Sequence, residues 1–192
     1  MWKLRDIVVL VILSIVCGII FRVWDVVSPF LTLTWVPGQA LINGVWFIAG
    51  MLIPYIIRRP GAALLAEFIA ALIELALASN WGWGGVLSGI LQGLGAEIGF
   101  LLFAYKRYNL ASMLAAGALS GLGFFPQWYL AYGGDHYSAS IVLLYGILNL
   151  ISGAILGGLL AKWIGDALNR TGVVRNFEIG RQTRAAGKVA GQ

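Results

Sequence analysis

Residues 58–85 read RRPGAALLAEFIAALIELALASNWGWGG. Two arginines and a Pro-Gly turn open the stretch. An apolar run follows, carrying Glu67 and Glu74 seven positions apart, and an aromatic, glycine-rich gap without a basic residue closes it. A bilayer core about 30 Å thick takes roughly 20 apolar residues per helix, so the run reads as a membrane span. Charge gives it direction, because short basic loops are retained on the cytoplasmic side.

The same pattern repeats outward in both directions. Lys3 and Arg5 precede the first apolar run, and Lys106 and Arg107 follow the fourth. Lys162, Arg170, Arg175, Arg181, Arg184 and Lys188 close the sixth. The gaps 28–38, 79–85 and 133–138 hold no basic residue, and Arg22 is the one exception to the alternation, with Asp25 beside it as a partner. An all-α membrane protein with six transmembrane helices and both termini cytoplasmic is therefore expected. The spans fall at about 4–27, 38–57, 61–79, 86–105, 110–132 and 139–163, read directly from the sequence. Residues 1–164 would form one bundle and 165–192 a basic cytoplasmic tail. The first run is too long for a signal peptide and lacks its small-residue cleavage pattern, so it is expected to be retained.

Composition excludes several classes. Hydrophobic residues make up 60% and charged residues 11%, and the mean hydropathy is +0.87. That is far from soluble usage. The net charge of +5 sits in the inner gaps and the tail, which argues against a nucleic-acid surface. One cysteine, Cys17, permits no disulfide within the chain, and one histidine, His136, cannot build a usual zinc site with it. Gly187-Lys188 is followed by Val189 and lacks the upstream glycine of a phosphate loop, so no ATP site of that kind is expected. No Gly-x-Ser-x-Gly elbow occurs, and no nucleophile or metal set accompanies the glutamates and His136 as acid and base. No enzyme is expected.

Small residues recur at four-residue spacing: Gly85, Gly89 and Gly93, then Gly95 and Gly99, Gly117 and Gly121, Gly153 and Gly157. Such positions let helix backbones approach closely in lipid. Against this packing background, Glu67, Glu74 and Glu97 stand out as acids inside spans. An ionisable group there costs at least about 2.5 kcal/mol, so each should face a cavity or a partner. Glu67 and Glu74 share a helix face, with Glu74 nearer the outside and Glu97 expected at a depth similar to Glu67. The alternative for each is a protonated carboxyl hydrogen-bonded between helices.

Aromatic and amide residues collect at the same outer end. Gln39, Asn43, Trp46 and Gly50 descend one face of the second span, Trp128 and Tyr132 lie a turn apart, and Tyr145, Asn149 and Ser152 share a face of the sixth. Trp81, Trp83 and Tyr129 fit interfacial anchors. His136 lies in an outer loop, and Gln92 and Glu97 point too differently to line one pocket together. Carboxylates attract a cation, ring faces add cation–π attraction of up to about 2 kcal/mol, and amides orient polar groups. A flat, positively charged heteroaromatic compound meets these demands, bound by Glu74, Glu67, Glu97, Trp46, Asn43, Trp128, His136, Tyr145 and Asn149.

The run from Asn43 through Trp46 to Gly50, the stretch Arg58-Arg59-Pro60-Gly61-Ala62 leading into Glu67, and Gly93-Leu94-Gly95-Ala96-Glu97 resemble the S components of energy-coupling factor (ECF) transporters. Among these, the strings look like the YkoE-type, thiamine- or hydroxymethylpyrimidine-binding group. The resemblance implies an S-component bundle in a bacterial plasma membrane that binds thiamine or its pyrimidine precursor from outside. It further implies a transmembrane T component and cytoplasmic ATPases as partners, with ATP hydrolysed there and no cofactor on this chain. It places a covering loop at 28–38 with Trp35, and T-component docking on the first helix, where Ser14-x-x-x-Gly18 stands in for Ala-x-x-x-Ala. The competing expectation is a stand-alone proton-coupled carrier for a small cationic aromatic compound, with Glu67 and Glu97 relaying protons.

Overall fold

The computed structural model of the chain describes residues 2–32, 35–182 and 184; Leu33, Thr34 and Lys188, from the 28–38 gap and the tail, lie outside them. Helix α1 (Leu4–Thr32) turns Asp6, Leu10, Ser14, Cys17, Phe21, Asp25 and Ser28 inward at steps of three and four. Ile12, Ile19, Val23 and Val26 face outward. The polar residues are thus inside and the aliphatic ones outside, as lipid demands.

The next rod, Val36–Ile57, is not one α-helix. It comprises α2 (Val36–Ile42), a 3-10 turn (Asn43–Phe47) and α3 (Ala49–Ile57), every residue of which is buried. Broken backbone at membrane depth survives only where protein supplies partners. Here the Ser152 hydroxyl donates to the Leu41 carbonyl at 2.7 Å and accepts from the Gly44 amide at 2.9 Å. Gly44 has no Cβ, and one would run into the Ser152 backbone.

Helix α4 (Ala62–Ala76) packs between α1, α3 and α5 (Gly82–Leu102). Helix α6 (Leu110–Ala131) opens on a capping box, in which Asn109 and Ser112 exchange side-chain and backbone bonds. After a 3-10 turn (Gly134–His136), α7 (Ala139–Ser152), a π turn (Gly153–Leu159) and α8 (Leu160–Arg170) form one rod. The spaced glycines are the seams of this bundle. Gly89 and Gly93 lie on α4 at Ala71 and Leu64, Gly95 and Gly99 on α6, and Gly117 against Gly153.

Among the described residues there is no strand, and five rods are long and apolar enough to cross a membrane. The run 61–79 falls short, because α4 holds 15 residues, about 22 Å. It ends where Ala78 takes a left-handed conformation. Helix α1 continues through Ser28 and Pro29 rather than ending near Val27. The last rod runs to Arg170, so residues 164 and 165 both lie within α8. Beyond it, Val174 and Ile179 are buried in the main core, Phe177 packs beside them, and Arg5 sits 5.9 Å over the Phe177 ring. With Arg59 3.1 Å from Asp6 and Arg58 bonded to Gln182, both described chain ends meet at the arginine-rich end of the bundle.

Candidate ligand cavity

A cavity of about 550 Å³ occupies the opposite end of the bundle. Phe21 of α1, Trp35 just before the broken rod, Gln39, Asn43 and Trp46 within it, and Glu74 of α4 form one side. Trp81, Ser88 and Gln92, then Phe124, Trp128, Tyr132 and Tyr145, form the other. Among the described residues, its lining includes one carboxylate and no lysine, arginine or histidine.

The 3-10 turn explains why Asn43 and Trp46 share this space, since its tighter winding turns both toward α7 and α4. Glu74 is buried and its Oε1 accepts a hydrogen bond from the Trp46 indole at 3.1 Å. Asn43 donates to the Tyr145 hydroxyl and to Asn149 Oδ1, both at 2.9 Å, and accepts from Gln39 at 3.1 Å. The Tyr145 ring lies flat on Trp128, with centroids 3.6 Å apart and planes 7° from parallel.

Five of the nine residues expected from sequence therefore line the cavity: Asn43, Trp46, Glu74, Trp128 and Tyr145. The other four have different surroundings. Glu67 is fully buried beneath, its Oε1 accepting from the Gly50 amide at 2.6 Å where α3 restarts. Glu97 is nearer the arginine-rich end than expected, and accepts from the Gly61 and Ala63 amides at 2.5 and 3.0 Å. Those unpaired amides at the start of α4, at its positive end, attract the carboxylate. Asn149 donates to the Gly121 carbonyl at 2.7 Å and is buried behind Asn43, outside the lining. His136 is largely exposed, 3.6 Å from Asp135, so solvent is its environment. Trp128 also differs from a free stacking platform, because Tyr145 covers one of its faces.

Trp81 lines the cavity rather than serving only as an interfacial anchor, and Phe21, Ser88 and Phe124 join it. For Phe21 a signal existed: it falls in register with Ser14, Asp25 and Ser28 on the polar face of α1. The either-or between Gln92 and Glu97 resolves in favour of Gln92 as the lining residue. Ser14 and Gly18 face inward as well. Ser14 is wholly buried, and a Cβ on Gly18 would meet the Ala70 carbonyl at 2.6 Å, so this pair packs α1 on α4 instead of meeting a partner.

Comparison with known proteins places this geometry. Residues 5–123 match the family described as "ABC-type cobalt transport system, permease component". YkoE of Bacillus subtilis (strain 168), named for a proposed role as an HMP/thiamine permease protein, is 36% identical over all of this chain and 96% of its own length. A crystal structure of an S component of an ECF transporter superposes with a TM-score of 0.95 at 35% identity, covering 100% of this chain and 98% of the other. Matched over residues 5–123 by that family, and over its whole length by YkoE and by the S-component structure, the chain belongs to the ABC-type cobalt permease-component family and is an S component of an ECF transporter.

Proposed function

We propose that this S component captures thiamine, or its hydroxymethylpyrimidine precursor, from the exterior. Delivery would follow through a transmembrane T component driven by cytoplasmic ATPases, with ATP hydrolysed on those subunits and no cofactor or catalysis on this chain. Six spans, with α4 the shortest, would then lie in a bacterial plasma membrane with both termini and the arginine-rich end cytoplasmic.

One observation carries the reading: the Glu74 carboxylate is buried at the cavity wall beside the Trp46 indole, with no basic side chain among the described residues lining the same space. A thiazolium ring supplies a permanent positive charge for that acid, and flat rings suit an aromatic wall. Gln39, Ser88 and Gln92 are within the lining to meet amino and hydroxyl groups. The relative YkoE carries HMP and thiamine in its name, which supports the choice of ligand. A bare cobalt ion suits the lining less well, because imidazole or thiolate donors are absent from it.

The test is equilibrium binding. Thiamine at submicromolar concentration should quench the tryptophan fluorescence of the purified protein, and calorimetry should show matching heat. The pyrimidine alone, titrated in parallel, identifies which of the two is the ligand. Silence with both compounds by both methods overturns the proposal.

A further inference from the structure

We infer that Asp25 of α1 is a positioning residue of the cavity, acting on bound ligand through Trp81 without touching it; this rests on the cavity's being the ligand site. Asp25 is 2% exposed and absent from the cavity lining. Its Oδ1 accepts from the Trp81 indole nitrogen at 2.7 Å, and its Oδ2 accepts from the Ser79 hydroxyl at 2.8 Å. The Ser79 oxygen in turn accepts from the Trp81 amide at 3.2 Å. One carboxylate therefore fixes both the backbone and the ring of the residue that forms the cavity wall.

The wall needs such an anchor. Trp81 is 42% exposed, so burial alone does not settle its ring, and an indole has a single donor with which to be oriented. The segment leading to it begins at Ala78, whose φ of 60° is left-handed and must be held by its surroundings. Arg22 adds a second tie, donating from Nε to the Leu77 carbonyl at 2.9 Å, with its guanidinium 3.9 Å from Asp25. From this fixed position the Trp81 ring reaches Tyr132, centroids 5.3 Å apart, which is also a lining residue. The arrangement parallels Glu74 and Trp46: two lining indoles, each bonded to a buried acid, with the two acids in contact with each other.

A double-mutant cycle tests the inference. Asp25→Ala should weaken thiamine binding about tenfold, the loss expected when both anchoring bonds go. In a Trp81→Phe background, which lacks the indole N–H and keeps only the Ser79 tie, the same change should cost about threefold, since coupled positions are not additive. Equal losses in both backgrounds would overturn the inference while leaving the cavity reading intact. If Asp25→Ala does not accumulate in membranes, Asp25→Asn, with one acceptor oxygen left, is carried through the same cycle. A ligand-free measurement separates the two ideas: amide hydrogen exchange of residues 77–85 should speed up in the Asp25 variant. If the unaltered protein binds neither thiamine nor the pyrimidine, the cavity reading falls, and unchanged exchange in the variant then removes the anchor too.

Discussion

The Glu67 carboxylate and the Gly50 amide meet at 2.6 Å, joining the middle of α4 to the first turn of α3. Above this bond the second rod is a 3-10 turn, and below it the rod is a regular helix. The bond closes one of the backbone donors that the break leaves without a helical partner. A Cβ on Gly50 would lie 2.9 Å from the Glu67 side chain, so the absence of one permits the approach. Glu67→Ala should therefore lower stability by about 2–4 kcal/mol, the range for leaving a buried polar group unpaired in a network. Glu67→Gln keeps an acceptor oxygen and should lose less than half as much. Thermal unfolding followed by tryptophan fluorescence distinguishes the two, and equal midpoints for both variants would contradict this role.

Glu74 acts on the ligand directly in the proposed function. Glu74→Gln should weaken thiamine binding by at least about 1.5 kcal/mol, the loss of a charge-assisted interaction. Calorimetry gives the value, and unchanged affinity would remove Glu74 from the site.

The histidine provides the opposite expectation. Its side chain is largely exposed and lies outside the cavity lining. His136→Ala should shift thiamine affinity by no more than about 0.5 kcal/mol, the usual range for a surface change. A tenfold loss would show that the loop folds over the ligand.

Gly44 reports on the break itself. In Gly44→Ala the new Cβ would meet the Ser152 carbonyl carbon at 2.7 Å and the Leu156 side chain at 2.8 Å. Overpacking of this kind costs about 1–3 kcal/mol, and here it also pushes Ser152 away from the amide it caps. Both the unfolding midpoint and thiamine affinity should fall, because Asn43 and Trp46 ride on the same turn.

Orientation has its own measurement. Cys17 is buried, so native protein should resist a membrane-impermeant thiol reagent. With Cys17 replaced by serine, a cysteine at Asp135 should react in intact cells and one at Arg107 only after the membrane is opened. The reverse pattern would invert the topology.

The all-helical build of long apolar segments was readable because lipid acts on each span separately, so the composition of each run carries its meaning locally. Helix ends were harder. Nothing near Ser28 or Trp163 marks that α1 runs on to Thr32 and the last rod to Arg170. The descending face of Asn43 and Trp46 was visible, but not the 3-10 turn that aims it, which depends on Ser152, 108 residues from Gly44. Glu67 and Glu97 looked like ligand acids because an acid in a span needs a partner. Their partners are backbone amides, and which amides lack a helical acceptor follows only from the tertiary break. Asp25 was paired correctly with its neighbour Arg22, yet its shorter bonds reach Ser79 and Trp81, 54 and 56 residues away.

The chain beyond α8 has a practical consequence for handling the protein. Val174, Phe177 and Ile179 are roofing for the arginine-rich end of the helices. Cutting the gene at Arg170, or fusing a reporter there, would strip that roof and bare greasy surface to detergent. Fusions meant to leave the protein intact belong after residue 182.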